Sequence, residues 1–130
     1  MIEFHLDGRS GVSPYQQLVQ QVRHALRLGL LSTGDQLPTV KDVVAALAIN
    51  PNTVLKAYRE LEHEGLVSAR PGKGTFVTRT LTDTSFAAHG PLRADLRRWL
   101  AKARRAGLDD ESIEALFQTT FRDAEQEEIA

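Results

Sequence analysis

Residues 50–65 constrain the fold more than any other part of the sequence. Asn50 is a favoured N-cap residue, and Pro51 then falls at the first helical position, where a missing N–H is tolerated. Gly65 suits the left-handed residue that ends a helix. Helical spacing places one set of side chains on an apolar face and a second set on the opposite, polar face: Val54, Ala57, Tyr58 and Leu61 against Asn52, Lys56, Arg59 and His63. This amphipathic pattern suits a helix lying in a DNA groove, but ordinary surface helices share it.

The residues in front of this helix predict a second, shorter one. Thr39 is the expected N-cap, and Asp42 follows three residues later, as in a capping box. Apolar residues then recur at helical spacing at Val40, Val43, Val44 and Leu47. Two short helices joined by a tight turn form a helix-turn-helix.

The residues behind the helix predict a β-hairpin. Residues 66–69 and 75–78 have strand composition, and residues 70–74 join them as a glycine-bearing turn with two cations. A hairpin directly after a helix-turn-helix is the wing of a winged helix. The predicted fold class is therefore mainly α with a small β-hairpin wing, followed by a two-helix C-terminal unit.

The remaining segments complete this organisation. Alternating apolar residues at 2–6 predict a short strand, and Ser13, Pro14 and Gln16 predict a capped helix that ends at Gly29. Residues 79–90 lack periodicity and are rich in small polar residues. We therefore expect a winged helix-turn-helix domain over residues 1–78, a linker over residues 79–90, and two helices over residues 91–130.

Composition narrows the class of function. The 130 residues are 42% hydrophobic and 25% charged, with no cysteine, which is typical of a soluble cytoplasmic protein. There is no signal peptide and no apolar run long enough to cross a membrane. Residues 1–80 hold nine Lys or Arg against seven Asp or Glu, whereas residues 81–130 hold seven against ten. The four histidines lack metal-ligand spacing and no catalytic constellation is present, so we expect no enzyme activity, metal or cofactor.

Three motifs occur together in a specific order: residues 37–39, residues 50–65 and residues 72–77. In this combination the sequence resembles the GntR family of bacterial transcription regulators. The short tail behind the wing is similar to that of the YtrA-like subfamily, in which two terminal helices serve dimerisation. The resemblance implies a DNA-binding transcriptional regulator, most often a repressor, that binds a near-palindromic operator as a homodimer.

The resemblance also implies which residues contact DNA. Lys41 stands where the family usually has an arginine, and Leu55 stands where many relatives read a base with an arginine. A lysine still binds a phosphate but lacks the bidentate fork of arginine. The implied contacts lie at the two helix starts and at the wing tip: Thr39, Lys41, Asn50, Pro51, Asn52, Thr53, Lys56, Arg70, Pro71, Gly72 and Lys73.

The C-terminal segment predicts an interface. A two-helix hairpin of this size cannot bury both of its apolar faces alone, so it packs on the winged helix or on a second copy, and we favour the second copy. The candidate dimerisation residues are Leu92, Leu96, Trp99, Leu100, Ile113, Leu116, Phe117 and Phe121. Whether a small-molecule effector binds is left open by the sequence, and the expected place is the junction between the winged helix and the helical tail, near Trp99. The alternatives are a protein-interaction module and a small-molecule sensor with a secondary DNA role.

Overall fold

Eight elements follow one another along residues 2–129, the part of the chain that the computed structural model describes. They are α1 (Pro14–Leu28), α2 (Val40–Leu47), α3 (Pro51–His63), β1 (Val67–Arg70), β2 (Gly74–Val77), a 3₁₀ turn (Phe86–His89), α4 (Gly90–Arg105) and α5 (Asp110–Ile129). The predicted class, a winged helix-turn-helix followed by two helices, is confirmed. Contacts divide the chain into two compact units, the first ending at Ala88 and the second beginning at His89.

Side-chain caps start the two helices of the helix-turn-helix, as predicted. The Thr39 hydroxyl accepts a hydrogen bond from the Asp42 N–H at 3.1 Å, and the Asn50 side-chain oxygen accepts one from the Asn52 N–H at 2.8 Å. Each bond satisfies an N–H that has no partner within the helix itself. The capping box predicted for α1 is wrong, because the Ser13 hydroxyl instead donates to the Gln16 side-chain oxygen at 3.1 Å.

Helix α3 lies at the centre of the first unit and packs against α1, α2 and β1. Its inner face consists of Val54, Ala57, Tyr58 and Leu61, all of them buried. The Tyr58 hydroxyl donates a 2.6 Å hydrogen bond to the Pro38 carbonyl, which lies just before α2. Burial raises the pKa of Tyr58, and the negative charge of Asp42 adds to the shift. The amphipathic pattern of α3 therefore packs as predicted.

The hairpin is antiparallel and is tied to the segment that precedes α2. Val67 pairs with Val77 and Arg70 pairs with Gly74, so both strands extend one residue further toward the tip than predicted. Along the outer side of β2, the Leu37 N–H donates to the Thr75 carbonyl and the Val77 N–H donates to the Asp35 carbonyl, each at 2.8 Å. Strand β2 is therefore bonded to β1 on one side and to the segment before α2 on the other, and this segment ties the wing to the rest of the first unit.

The strand predicted at residues 2–6 is wrong. Its apolar side chains do pack on the core, but within residues 2–129 no strand pairs with it. Side-chain amides of α1 take the place of that strand. The His5 N–H donates to the Gln21 side-chain oxygen at 3.1 Å, and the Gln21 amide donates back to the His5 carbonyl at 2.7 Å. The side-chain oxygen of buried Gln17 accepts a hydrogen bond from the Asp7 N–H, and the Gln17 amide donates to the Asp7 carbonyl.

The second unit is a hairpin of α4 and α5, in which Ala103 and Ile113 are buried. The Asp109 carboxylate accepts a 2.8 Å hydrogen bond from the Ser112 N–H at the start of α5. Hydrogen bonding to Ser112 lowers the pKa of Asp109. None of the helices in residues 2–129 is long and apolar enough to cross a membrane.

The buried Tyr58 hydroxyl generates a stability prediction. Tyr58→Phe removes the donor and leaves the buried Pro38 carbonyl without it, so we expect a loss of about 1–2 kcal/mol in the free energy of unfolding, measured by urea denaturation. Tyr15→Phe is the matched control, because it removes the same hydroxyl from a half-buried ring of α1. An equal effect of both substitutions would contradict a special role for the Tyr58 bond.

Candidate nucleic-acid interface

The amino end of α3 presents polar groups at the surface. Asn50, Pro51 and Asn52 are exposed, and Thr53 is half-buried. The Asn50 side-chain oxygen already accepts the capping hydrogen bond. The side-chain amide of Asn52 therefore offers both its oxygen and its NH₂ group to a ligand. A side-chain amide of this kind pairs with an adenine edge through two hydrogen bonds. The first turn of α3 therefore has the groups that base reading requires.

Lys56, one turn further along α3, is exposed but held in place. Its ammonium nitrogen lies 3.9 Å from the centroid of the Tyr15 ring, which comes from the first turn of α1. A cation over an aromatic face at an exposed site contributes about 0.5–1 kcal/mol. The contact restricts the lysine side chain and brings α1 to the edge of the site. The sequence reasoning missed Tyr15, because nothing in its spacing relates it to Lys56.

The start of α2 contributes Thr39 and Lys41. The Thr39 side chain is exposed and its hydroxyl oxygen caps α2, so the hydroxyl proton remains available as a donor. Lys41 is exposed, and no carboxylate in residues 2–129 lies within ion-pair distance of it. A free lysine in the first turn of a helix suits an anionic ligand such as a phosphate.

The wing tip contains the second cationic group of the site. Arg70 is exposed, with its guanidinium carbon 4.7 Å from the centroid of the Phe76 ring. Pro71, Gly72 and Lys73 form the exposed turn, and Gly72 adopts a left-handed φ of 74°. The wing therefore presents one cation on β1 that lies over an aromatic ring of β2, and one exposed cation, Lys73, in the turn.

Gln36 fixes the position of the wing tip, and the sequence reasoning missed this residue. Its side-chain amide donates a 3.2 Å hydrogen bond to the Lys73 carbonyl. The next residue, Gly74, has φ +128°, and a Cβ there would lie 2.5 Å from the Gln36 amide nitrogen. The close approach of the Gln36 side chain and the backbone conformation both favour glycine at this position.

The later turns of α3 are tied to the fold. The Glu62 carboxylate accepts a 2.7 Å hydrogen bond from the Ala69 N–H, and Glu64 forms an ion pair with Arg23 of α1. Leu55, where an arginine was expected from the resemblance, is half-buried. Part of its apolar surface is therefore already used within the fold.

The candidate dimerisation residues form an apolar surface that remains largely open. Leu92 and Phe121 are 70% and 58% exposed, and Phe117 is 48% exposed with its ring stacked on Phe121 at 5.9 Å. Leu96 and Leu116 are similarly exposed, whereas Trp99 and Leu100 are half-buried. Ile113 is only 6% exposed, so it offers little surface to a partner.

The part of the chain that the structure describes contains no cluster of potential metal ligands. Within residues 2–129, no group of three His, Asp or Glu side chains is arranged to hold a metal ion. The polar groups at the starts of α2 and α3 and at the wing tip are donors and cations, which suit binding of an anionic polymer.

Comparison with known proteins gives a consistent result. The model of the gntR family of bacterial regulatory proteins matches residues 14–77. The HTH-type transcriptional repressor YtrA of Bacillus subtilis is 32% identical over 109 residues, covering 83% of this chain and 84% of the relative. The HTH-type transcriptional regulator Rv1152 of Mycobacterium tuberculosis is 38% identical over 104 residues, covering 79% and 81%.

A solved structure extends the likeness to the fold of almost the whole chain. The transcriptional antiterminator from Listeria monocytogenes EGD-e superposes with a TM-score of 0.58 at 28% identity, covering 94% of this chain and 92% of that chain. The family match runs from the first residue of α1 to the last residue of β2. It therefore includes both helix starts and the wing.

The contact between Lys56 and Tyr15 is testable without any ligand. Protons beside Nζ of Lys56 lie over an aromatic face, so we expect their NMR resonances to be shifted upfield relative to those of Lys41, Lys73 and Lys102. Tyr15→Leu should abolish the shift, whereas the control Tyr15→Phe keeps a ring and should retain it. A Lys56 resonance that is indifferent to both substitutions would place the lysine elsewhere.

Proposed function

The chain belongs to the GntR family of bacterial regulatory proteins, and from this premise we propose that it represses transcription by occupying a near-palindromic operator as a homodimer. As a helix-turn-helix transcriptional regulator it acts by binding DNA. The observation that carries the proposal is the exposed, capped amino end of α3, where Asn52 lies one turn before the restrained cation Lys56. A base-reading amide followed by a phosphate-binding cation is the arrangement that a recognition helix requires.

We assign sequence reading to the first turn of α3. Asn52 pairs with a base edge in the major groove, and Thr53 contacts a base or a phosphate beside it. Asn50 and Pro51 set the path of the backbone at the groove floor. Lys56 binds a phosphate, and its contact with Tyr15 reduces the freedom that the side chain loses on binding.

Phosphate and minor-groove contacts come from the flanks of α3. Thr39 and Lys41, at the start of α2, bind the DNA backbone and set the orientation of the winged helix on the duplex. Arg70 and Lys73 approach the minor groove from the wing, where the narrow groove concentrates negative potential. Pro71 and Gly72 form the tight tip that allows this approach. These cations matter because the whole chain has a net charge of −1, so binding relies on where the positive charges lie.

Dimerisation follows from the open apolar surface on α4 and α5. Leu92, Leu96, Phe117 and Phe121 are too exposed for a pair of helices that must stay in water. A second copy related by a two-fold axis covers this surface and presents two winged helices to DNA. The two heads then bind half-sites that lie one helical turn of DNA, or a multiple of it, apart.

Repression on this proposal is occlusion of a promoter in the cytoplasm, with no catalytic step, cofactor or metal. The name of the Bacillus subtilis relative, a transcriptional repressor, supports repression over activation. A small-molecule effector, where one acts, changes occupancy by binding one arrangement of the two heads better than another. The surroundings of Trp99 remain the place where we expect it.

The DNA-reading role of α3 is tested on a binding site selected from a random-sequence DNA library. Asn52→Ala with Thr53→Ala removes the base contacts, so we expect affinity for the selected site to fall about 10- to 100-fold in gel-shift titrations. His63→Ala is the matched control, since it lies on the same exposed face three turns further along and should leave affinity nearly unchanged.

The outcomes separate the alternatives. Unaltered affinity of the double variant, with its thermal unfolding also unaltered, would show that α3 does not read DNA. A selection that enriches no sequence would favour a protein-interaction module. A selection that succeeds only after a metabolite is added would favour a sensor whose ligand controls DNA binding.

The dimer is tested by light scattering coupled to size exclusion. The wild-type chain should elute with twice the 14.4 kDa mass of one chain. Phe117→Ser with Phe121→Ser removes the exposed stacked pair, and we expect the 14.4 kDa monomer with its helices intact by circular dichroism. Leu30→Ser changes an equally exposed leucine of the first unit and should remain dimeric. A dimer unaffected by the double serine variant would place the interface elsewhere.

A further inference from the structure

The charged side chains of the second unit are sorted by sign between its two helices. Helix α4 carries six cations and one carboxylate, whereas α5 carries seven carboxylates and one cation. Helix dipoles account for a part of this, because cations suit the end of α4 and anions suit the start of α5. They do not account for Arg97 near the middle of α4 or for the carboxylates Glu125, Glu127 and Glu128 at the far end of α5.

Most of these charges have no partner within the unit. Arg98 forms an ion pair with Asp95 in its own helix, and Arg104 reaches Asp110 at 2.7 Å across the hairpin. Arg97, Lys102 and Arg105 have no ion-pair partner among the described residues, and all three are exposed. The same is true of Glu114, Glu125 and Glu127 on α5. The hairpin therefore leaves a set of cations and a set of carboxylates uncompensated.

Four of the uncompensated charges border the apolar surface. At about 100° per residue, Arg97 lies on one side of the apolar stripe of α4 and Lys102 lies on the other. On α5 the same spacing places Glu114 and Glu125 together beside the apolar stripe. Charges in these positions sit at the rim of any interface formed by the stripes, where they select the partner.

Two-fold symmetry then limits how a second copy covers this surface. Packing α4 on the partner's α4 would oppose cations, and packing α5 on the partner's α5 would oppose carboxylates, both of which are unfavourable. Packing α4 on the partner's α5 brings unlike charges together, and the symmetry repeats that contact twice. We propose that the apolar surface is covered by a second copy of this chain in which α4 of each protomer lies against α5 of its partner. This inference rests on the proposed homodimer and names its pairing.

The proposed pairing makes dimerisation sensitive to salt, which an interface of apolar contacts alone would not be. Exposed ion pairs are individually weak, so the apolar stripes supply most of the affinity and the charges select the orientation. Salt screens such pairs, with a Debye length of about 10 Å at 0.1 M. The dimer dissociation constant therefore rises with NaCl concentration, whereas an interface held by apolar contacts alone does not weaken in this way.

Charge reversal of one helix at a time tests the pairing in the full-length protein. The first variant carries Arg97→Glu and Lys102→Glu, and the second carries Glu114→Lys and Glu125→Lys. None of these residues belongs to the ion pairs within the unit. Each variant alone should show a dimer dissociation constant at least about 10-fold above wild type by sedimentation velocity, because α4 and the partner's α5 then repel each other.

Mixing the two variants in equal amounts should restore a dimer, and native mass spectrometry should identify it as the heterodimer. In that species each α4 again faces an α5 of opposite charge. A variant with glutamine at the same α4 positions serves as the control for charge reversal, since it removes attraction without adding repulsion and should dimerise on its own more tightly than the α4 reversal variant. Circular dichroism verifies that each chain keeps its helices.

The outcomes distinguish this inference from the proposal on which it rests. A wild-type chain that is monomeric at every concentration would overturn the homodimer itself. Reversal variants that each dimerise as tightly as wild type, while wild type is dimeric, would overturn only the pairing of α4 with α5. The same holds for folded variants that stay monomeric when mixed.

Discussion

The buried hydrogen bond from Tyr58 to the Pro38 carbonyl is the contact on which the arrangement of the first unit depends. It joins the middle of α3 to a four-residue segment, residues 36–39, that also reaches the two other parts of the site. Gln36 at one end of this segment holds the wing tip, and Thr39 at the other end caps α2. A displacement of Pro38 would therefore move α3, α2 and the wing relative to one another. Burial of the Tyr58 ring stabilises all three positions at once.

Local signals account for the parts of the fold that were predictable. The caps at Thr39 and Asn50 join residues two or three positions apart, so these hydrogen bonds can be predicted from the local sequence. The segment at residues 2–6 shows the limit of such signals. Alternation correctly predicts that the apolar side chains of this segment pack on the core, but it does not identify what bonds to its backbone N–H and carbonyl groups. Here that role falls to Gln17 and Gln21, two glutamines on a helix, rather than to a strand.

The same limit applies to the site. Asn52, Thr53 and Lys56 could be named as candidate contacts from the sequence because the family motif contains their positions. Tyr15 and Gln36 could not, since each acts on a residue far away in the chain; 37 positions separate Gln36 from Lys73, and the separation of Tyr15 from Lys56 is of similar size. Both restrain a group that the motif does identify, a lysine ammonium in one case and a wing-tip carbonyl in the other. Long-range contacts of this kind become visible only when the core has brought the elements together.

The two units differ in charge, and this difference matters for binding a polyanion such as DNA. DNA repels carboxylates, and α5 carries seven of them. If α5 lies against the cations of the partner's α4, as we propose, the carboxylates at the rim of α5 lie beside cations in the dimer. Assembly conserves charge, so its gain for DNA binding is the second reading head, which is held at high effective concentration. On this proposal the dimer binds DNA more tightly than the monomer, and operator occupancy therefore depends steeply on protein concentration.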